Sequence, residues 1–250
     1  MPNLIINDYS KRNTGLDILR IIACFSIVLV HEIYLKKPVF IEKIFSHGDW
    51  GVNCFFLLSG FFSARNLKDK NIKISEYYKK RLIKIVPAYY VTIVALIIYH
   101  ISNSIYIIKD IWRLGWLRYF LFLNTVLPSN DFETWNNLFG LWTISNFVFF
   151  YLIAPFILKK TNIRRLVLFF GGTIAIKIIY SYVFIAIFSR IEELEKIDVL
   201  AGTSPIGTLW QFVLGALIYY AVSEKKQKET ILIGIICFTF AAIVKINIII

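Results

Sequence analysis

Arg20 and His31 stand eleven residues apart in an apolar run, LDILRIIACFSIVLVH, from Leu16 to His31. An imidazole exchanges protons near neutral pH, and a guanidinium stabilises charge developing on a reacting oxygen. Eleven residues make three helical turns plus about 20°, so the pair share one helix face, roughly 16 Å apart along the axis. Asp17, three residues before Arg20, is placed to pair with the guanidinium and lower its cost in a low-dielectric setting. Cys24 and Ile27 continue the same stripe. The spacing fits equally well polar residues that flank the two interfaces of a membrane span, and the run alone does not choose between these readings.

The elements that hold these residues follow from composition. Apolar residues make up 58% of the chain, in runs of about twenty, which excludes an ordinary soluble domain. The reading is all-α: a polytopic transmembrane helical bundle of about seven to eight spans plus one interfacial or re-entrant helix. Spans are expected near Leu16 to Tyr34, Trp50 to Ser63, Ile85 to Ser102, Leu138 to Leu158, Leu166 to Phe188, Ile206 to Val222 and Ile231 to Ile250. Leu114 to Leu127 is too short to cross and is interrupted by Arg118 and Asn124, so it reads as the interfacial or re-entrant piece. The first run follows Lys11 and Arg12 but lacks a small-residue cleavage site, which makes it an uncleaved first span.

The net charge of +12 comes from basic clusters between the apolar runs. Such clusters set topology, so nucleic acid is discounted as a partner and the lipid bilayer is the expected surrounding. With a cytoplasmic N-terminus, the inner segments hold 17 Lys and Arg and the outer loops 8, which satisfies the positive-inside rule; the expected location is the cell (plasma) membrane, multi-pass, with the N-terminus cytoplasmic. The acidic stretch Arg190 to Ser204 becomes an outer loop. Cys24, Cys54 and Cys237 lie at unrelated spacings inside apolar runs, which suits neither a disulfide framework nor a metal site, and no metal is expected. Residues 1–250 read as a single integral-membrane domain, and the apolar ending KINIII suggests that C-terminal spans are missing.

Five blocks carry a resemblance. GLDILRIIACFSIVLVH opens the series, followed by GDWGVNCFFLLSGFF (Gly48 to Phe62), YYKKRLIKIVPAYY (Tyr77 to Tyr90), LWTISNFVFFYLIAP (Leu141 to Pro155) and LWQFVLGAL (Leu209 to Leu217). In this order they resemble the acyltransferase 3 family, integral-membrane enzymes that O-acylate bacterial surface glycans and related acceptors. The match has departures. Lys84 stands where the family's basic motif usually has a second arginine after Arg81, keeping the charge but losing the bidentate phosphate geometry. Asn53 replaces a frequent aspartate, and Asn146, Phe147 and Val148 replace the glutamates of one large branch.

The resemblance implies an O-acetyltransferase of the cell envelope that moves an acetyl or other acyl group from cytoplasmic acyl-CoA to a hydroxyl of a polysaccharide or lipid-linked glycan. Acetyl-CoA would be a donor substrate, with no bound cofactor. On that reading His31 acts as general base or transient acyl carrier, and Arg20, paired with Asp17, organises the cavity or binds the thioester. Lys79, Lys80, Arg81 and Lys84 are the candidates for the phosphates of CoA. Asn53, Ser59 and Trp142 are the candidates on the acceptor side. The non-enzymatic rival is a transporter or flippase for lipid-linked saccharides, which would also need a polar lumen open to both sides; no inverted repeat supports it.

Overall fold

The computed structural model describes residues 14–31, 49–69, 72–102, 116–125, 141–190 and 194–223. Among these residues the chain forms eight α-helices and no strand: α1 Thr14–His31, α2 Asp49–Lys68, α3 Ile74–Ser102, α4 Trp116–Phe120, α5 Trp142–Leu158, α6 Ile163–Phe188, α7 Leu194–Thr203 and α8 Pro205–Ser223. Three stretches are long and apolar enough to cross a membrane, Ile74–Tyr99, Ile163–Phe188 and Pro205–Ser223. The apolar α5 is shorter, at 17 residues, and the expected span Ile231 to Ile250 lies outside the described residues.

At the centre stands α8. Over its apolar stretch 67% is buried in protein, against 11% for α3 and 17% for α6. The outer helices instead show apolar side chains such as Val91, Ile98, Leu168 and Tyr182 to their surroundings, the distribution a hydrocarbon solvent allows. Helices α2 and α8 run parallel and cross at two glycines. A Cβ on Gly60 would strike the Phe212 carbonyl, and one on Gly215 would strike the Leu57 carbonyl; only glycine permits this approach of backbones. The crossing leaves the basic end of α2 beside the end of α8: Lys68 Nζ donates to Ser223 Oγ at 3.1 Å and lies 4.0 Å from the Tyr220 ring centroid. The Tyr219 hydroxyl donates to Asp69, and that of Tyr220 to the Leu158 carbonyl at 2.9 Å. The ends of α2, α5 and α8 therefore meet at one end of the bundle.

The sequence pattern and the structure differ at three elements. The expected outer loop Arg190 to Ser204 contains α7, because Ile197, Leu200 and Ala201 recur at helical spacing and bury against Phe184. The expected span beginning at Ile85 starts a further three turns earlier, at Ile74. Within Leu114 to Leu127 the described residues are 116–125, and among these only Trp116–Phe120 is helical. Phe122 then takes φ 58°, with Leu123 N–H bonding to the Arg118 carbonyl at 2.7 Å and Phe122 N–H to that of Tyr119 at 3.1 Å. This is a helix-ending left-handed turn that usually takes glycine. Here Phe122 is held by stacking on Tyr89 at 4.5 Å, while the Tyr89 hydroxyl donates to the Tyr119 carbonyl at 2.8 Å.

Candidate functional site

On α1 the expected pair forms: Arg20 Nη1 donates to Asp17 Oδ1 at 2.8 Å. The guanidinium lies 4.5 Å from the centroid of the Phe62 ring on α2, a favourable cation–π contact. The face that α1 turns to α2 runs through Ala23 and Ser26, packed where Gly51 leaves room. Cys24 is exposed, so the stripe inferred from spacing continues through Ile27 but not through Cys24. His31 closes α1, and its side chain lies outside what the structure describes.

A second guanidinium enters from α3. Arg81 lies 5.1 Å from the Tyr151 ring centroid on α5 and 5.7 Å from that of Tyr77, one turn before it on α3. The rings are themselves anchored: the Tyr77 hydroxyl donates to Ser63 Oγ at 3.0 Å and the Tyr151 hydroxyl to Ser59 Oγ at 3.2 Å. Tyr78 braces the same turn by donating to the Leu152 carbonyl at 2.8 Å. Arg81 Nη2 is buried, with no hydrogen-bond partner among the described residues. Phe62 and Ser63 are consecutive, so Arg20 and Arg81 are both tied to one turn of α2.

The four basic candidates of this segment are thus divided. Arg81 turns inward, while Lys79, Lys80 and Lys84 are exposed and Lys80 pairs with Glu76 at 2.6 Å. Tyr77 and Arg81 share the inward face because they are four apart; Lys79 falls on the opposite face, and Lys84, although in register with Tyr77, is exposed one turn beyond Arg81.

Beyond this cluster lies a layer of phenylalanines. Phe150 stacks on Phe212 at 4.3 Å, and Phe56 lies 4.6 Å from Phe212 and 5.0 Å from Phe147. Trp142 meets Phe56 edge-on at 6.0 Å. Asn53, half-buried, is one turn along α2 from Phe56, away from Ser59. The acceptor-side candidates therefore do not converge: Ser59 belongs to the Arg81 cluster, whereas Asn53 and Trp142 lie on the far side of the aromatic layer.

On that far side buried polar groups gather around Asn146. Its Nδ2 donates to the Thr203 carbonyl at 2.8 Å and to Thr208 Oγ1 at 3.1 Å, and its Oδ1 accepts from Thr125 Oγ1 at 3.2 Å. The neighbouring Ser145 hydroxyl donates to Asn124 Oδ1. The left-handed turn at Phe122 directs Asn124 and Thr125 into this place. Tyr77, Ser63, Thr208 and Gln211 were not singled out from sequence. The available signals were the tyrosine four residues before Arg81 and polar side chains inside apolar runs. Among the described residues, no group of three His, Cys, Asp or Glu could hold a metal ion.

The family model described as an acyltransferase domain, that of the acyltransferase 3 family, matches residues 13–250. The chain belongs to the acyltransferase 3 family. No curated protein and no solved structure matches it. The match spans every described helix, so the two arginine contacts and the Asn146 network all lie inside the acyltransferase 3 domain, and the apolar helices make the protein a membrane acyltransferase.

Proposed function

We propose that the protein is an O-acetyltransferase of the plasma membrane, carrying an acetyl group from cytoplasmic acetyl-CoA to a hydroxyl of a cell-surface or lipid-linked glycan. The observation that carries this reading is Arg81: a guanidinium among aromatic rings, with a buried and unpartnered Nη2, at the end of the bundle where the basic residues collect. A phosphate or a thioester carbonyl is a fitting partner for that nitrogen. The basic end takes the cytoplasmic side by the positive-inside rule, with the N-terminus inside. Lys79, Lys80 and Lys84, exposed around Arg81 on α3, act by attracting the polyanionic donor rather than by enclosing it.

In the reaction the acceptor hydroxyl oxygen forms a bond to the thioester carbonyl carbon and the carbon–sulfur bond breaks. His31 takes the hydroxyl proton, and CoA leaves as its thiol after that proton is returned. In the variant route His31 carries the acyl group between donor and acceptor. Arg20, oriented by Asp17, organises the cavity or binds the thioester donor. The test is replacement of His31, Arg20 or Arg81 by alanine in a host lacking its own glycan acetylation, with mass spectrometry of the surface glycans. Acetylation is expected to disappear at normal protein level; acetylation retained in all three variants overturns the reading.

A further inference from the structure

In and beside the Asn146 network, two buried polar atoms have no partner among the described residues. Asn124 is 2% exposed and Gln211 9% exposed, yet Asn124 Nδ2 and Gln211 Oε1 are buried without a hydrogen-bond partner among the described residues. Asn124 joins the network through Ser145, and Gln211 follows Thr208 by three residues on α8, which places it on the same side of the helix. Unpartnered buried amides are rare, and each costs free energy comparable to a lost hydrogen bond.

The chemistry of this set is narrow. Asn124, Thr125, Ser145, Asn146, Thr208 and Gln211 carry no charge. An anion would require a cation among them. An acyl chain would leave the amide N–H and C=O as costly as before. Hydroxyl groups suit both, since a hydroxyl can donate to Oε1 and can accept from Nδ2. The cluster also lies close to helix ends, at the start of α5 and α8, and is separated from Arg81 by the phenylalanine layer.

We propose that the Asn124–Asn146–Gln211 cluster binds a neutral, hydroxyl-rich ring, and that it is the sugar subsite of the acceptor. This rests on the acyl-transfer reading only for the word acceptor; the binding stands by itself. The test uses the full chain in lipid nanodiscs, titrated with the methyl glycosides of glucose and N-acetylglucosamine and, as an anionic control, inorganic phosphate. Tryptophan fluorescence reports binding, with Trp142 and Trp210 nearby. Saturable quenching by a glycoside and none attributable to this cluster by phosphate is expected. Gln211→Met and Asn124→Leu should each raise the glycoside Kd about tenfold, the effect of one lost hydrogen bond, with Gln211→Met the milder of the two should Asn124→Leu fail to fold. Absence of a wild-type response up to the solubility limit, or a folded Gln211→Met variant that titrates like the wild type, overturns the proposal and leaves the cluster to water alone. Acyl-CoA consumption is followed separately. A responding site in a chain that consumes no acyl-CoA refutes the transfer reading, whereas consumption with no glycoside response refutes this subsite.

Discussion

Tyr151 and Asn146 stand five residues apart on α5, about 7.5 Å along the axis, and belong to two different solutions for burying polarity. Around Tyr151 a cation lies against ring faces whose hydroxyls are anchored to serines, with one guanidinium nitrogen left open. Around Asn146 three neutral hydrogen bonds close on one carboxamide and tie α5 to the α7–α8 junction and to the Thr125 turn. A cation–π contact tolerates displacement, because the ring offers a broad face. Hydrogen bonds to a carboxamide do not, since they weaken steeply off-line. The Arg81 end is therefore suited to a ligand that arrives and leaves with its charge, and the Asn146 end to one recognised by shape.

That contrast can be broken outright at the α2–α8 crossing, which both ends share. Gly60→Leu drives a side chain into the Phe212 carbonyl and should cost about 4 kcal/mol or more, abolishing a monodisperse peak in size-exclusion chromatography of solubilised protein; a normal peak would refute the close approach. Next comes the charged end alone. Arg81→Ala should lower acetyl transfer about 100-fold with melting little changed, and Arg81→Lys should recover only part of it, because an ammonium loses the planar stacking on Tyr151. Recovery to the wild-type rate with lysine would show that charge without shape suffices.

The neutral end should answer differently. Asn146→Leu removes the acceptor of the Thr125 hydroxyl and the donor to Thr208 Oγ1 and should destabilise the fold by about 1–3 kcal/mol, seen as a lower Tm, whereas the KM for acetyl-CoA stays unchanged. A shifted KM would join the two ends into one site. The smallest effect belongs to Lys80→Ala. Its exposed pair with Glu76 is screened by solvent, so neither Tm nor KM should move measurably; a large change would bring Lys80 into the site.

Much of this was written in local spacing. Asp17 and Arg20, three apart, pair as read, and the long apolar runs became α3, α6 and α8. What spacing could not supply was orientation between helices. Because α5 and α8 are apolar on nearly all sides, no polar face marks which flank meets a neighbour. Tyr151 on α5 and Ser59 on α2 are 92 residues apart, so nothing near Arg81 in sequence announced its aromatic bed. The same blindness groups Lys79, Lys80 and Lys84 with Arg81, although all three are exposed and Arg81 is not. Helix α7 was hidden by its acidic residues, whose charge reads as a loop until Ile197, Leu200 and Ala201 find Phe184 to cover them.

The parallel crossing of α2 and α8 has a consequence for biogenesis. Lys68 and Ser223, bonded across it, are separated by 155 residues, which a ribosome needs roughly ten to thirty seconds to add at about 5–20 residues per second. Throughout that interval α2 lacks its principal neighbour, and the surface around Gly60 that Phe212 will cover faces lipid or the insertion machinery. Maturation of this enzyme is thus paced by the emergence of its last described helix, and a ribosome stalled before Pro205 would leave a chain without its central helix for quality control to remove.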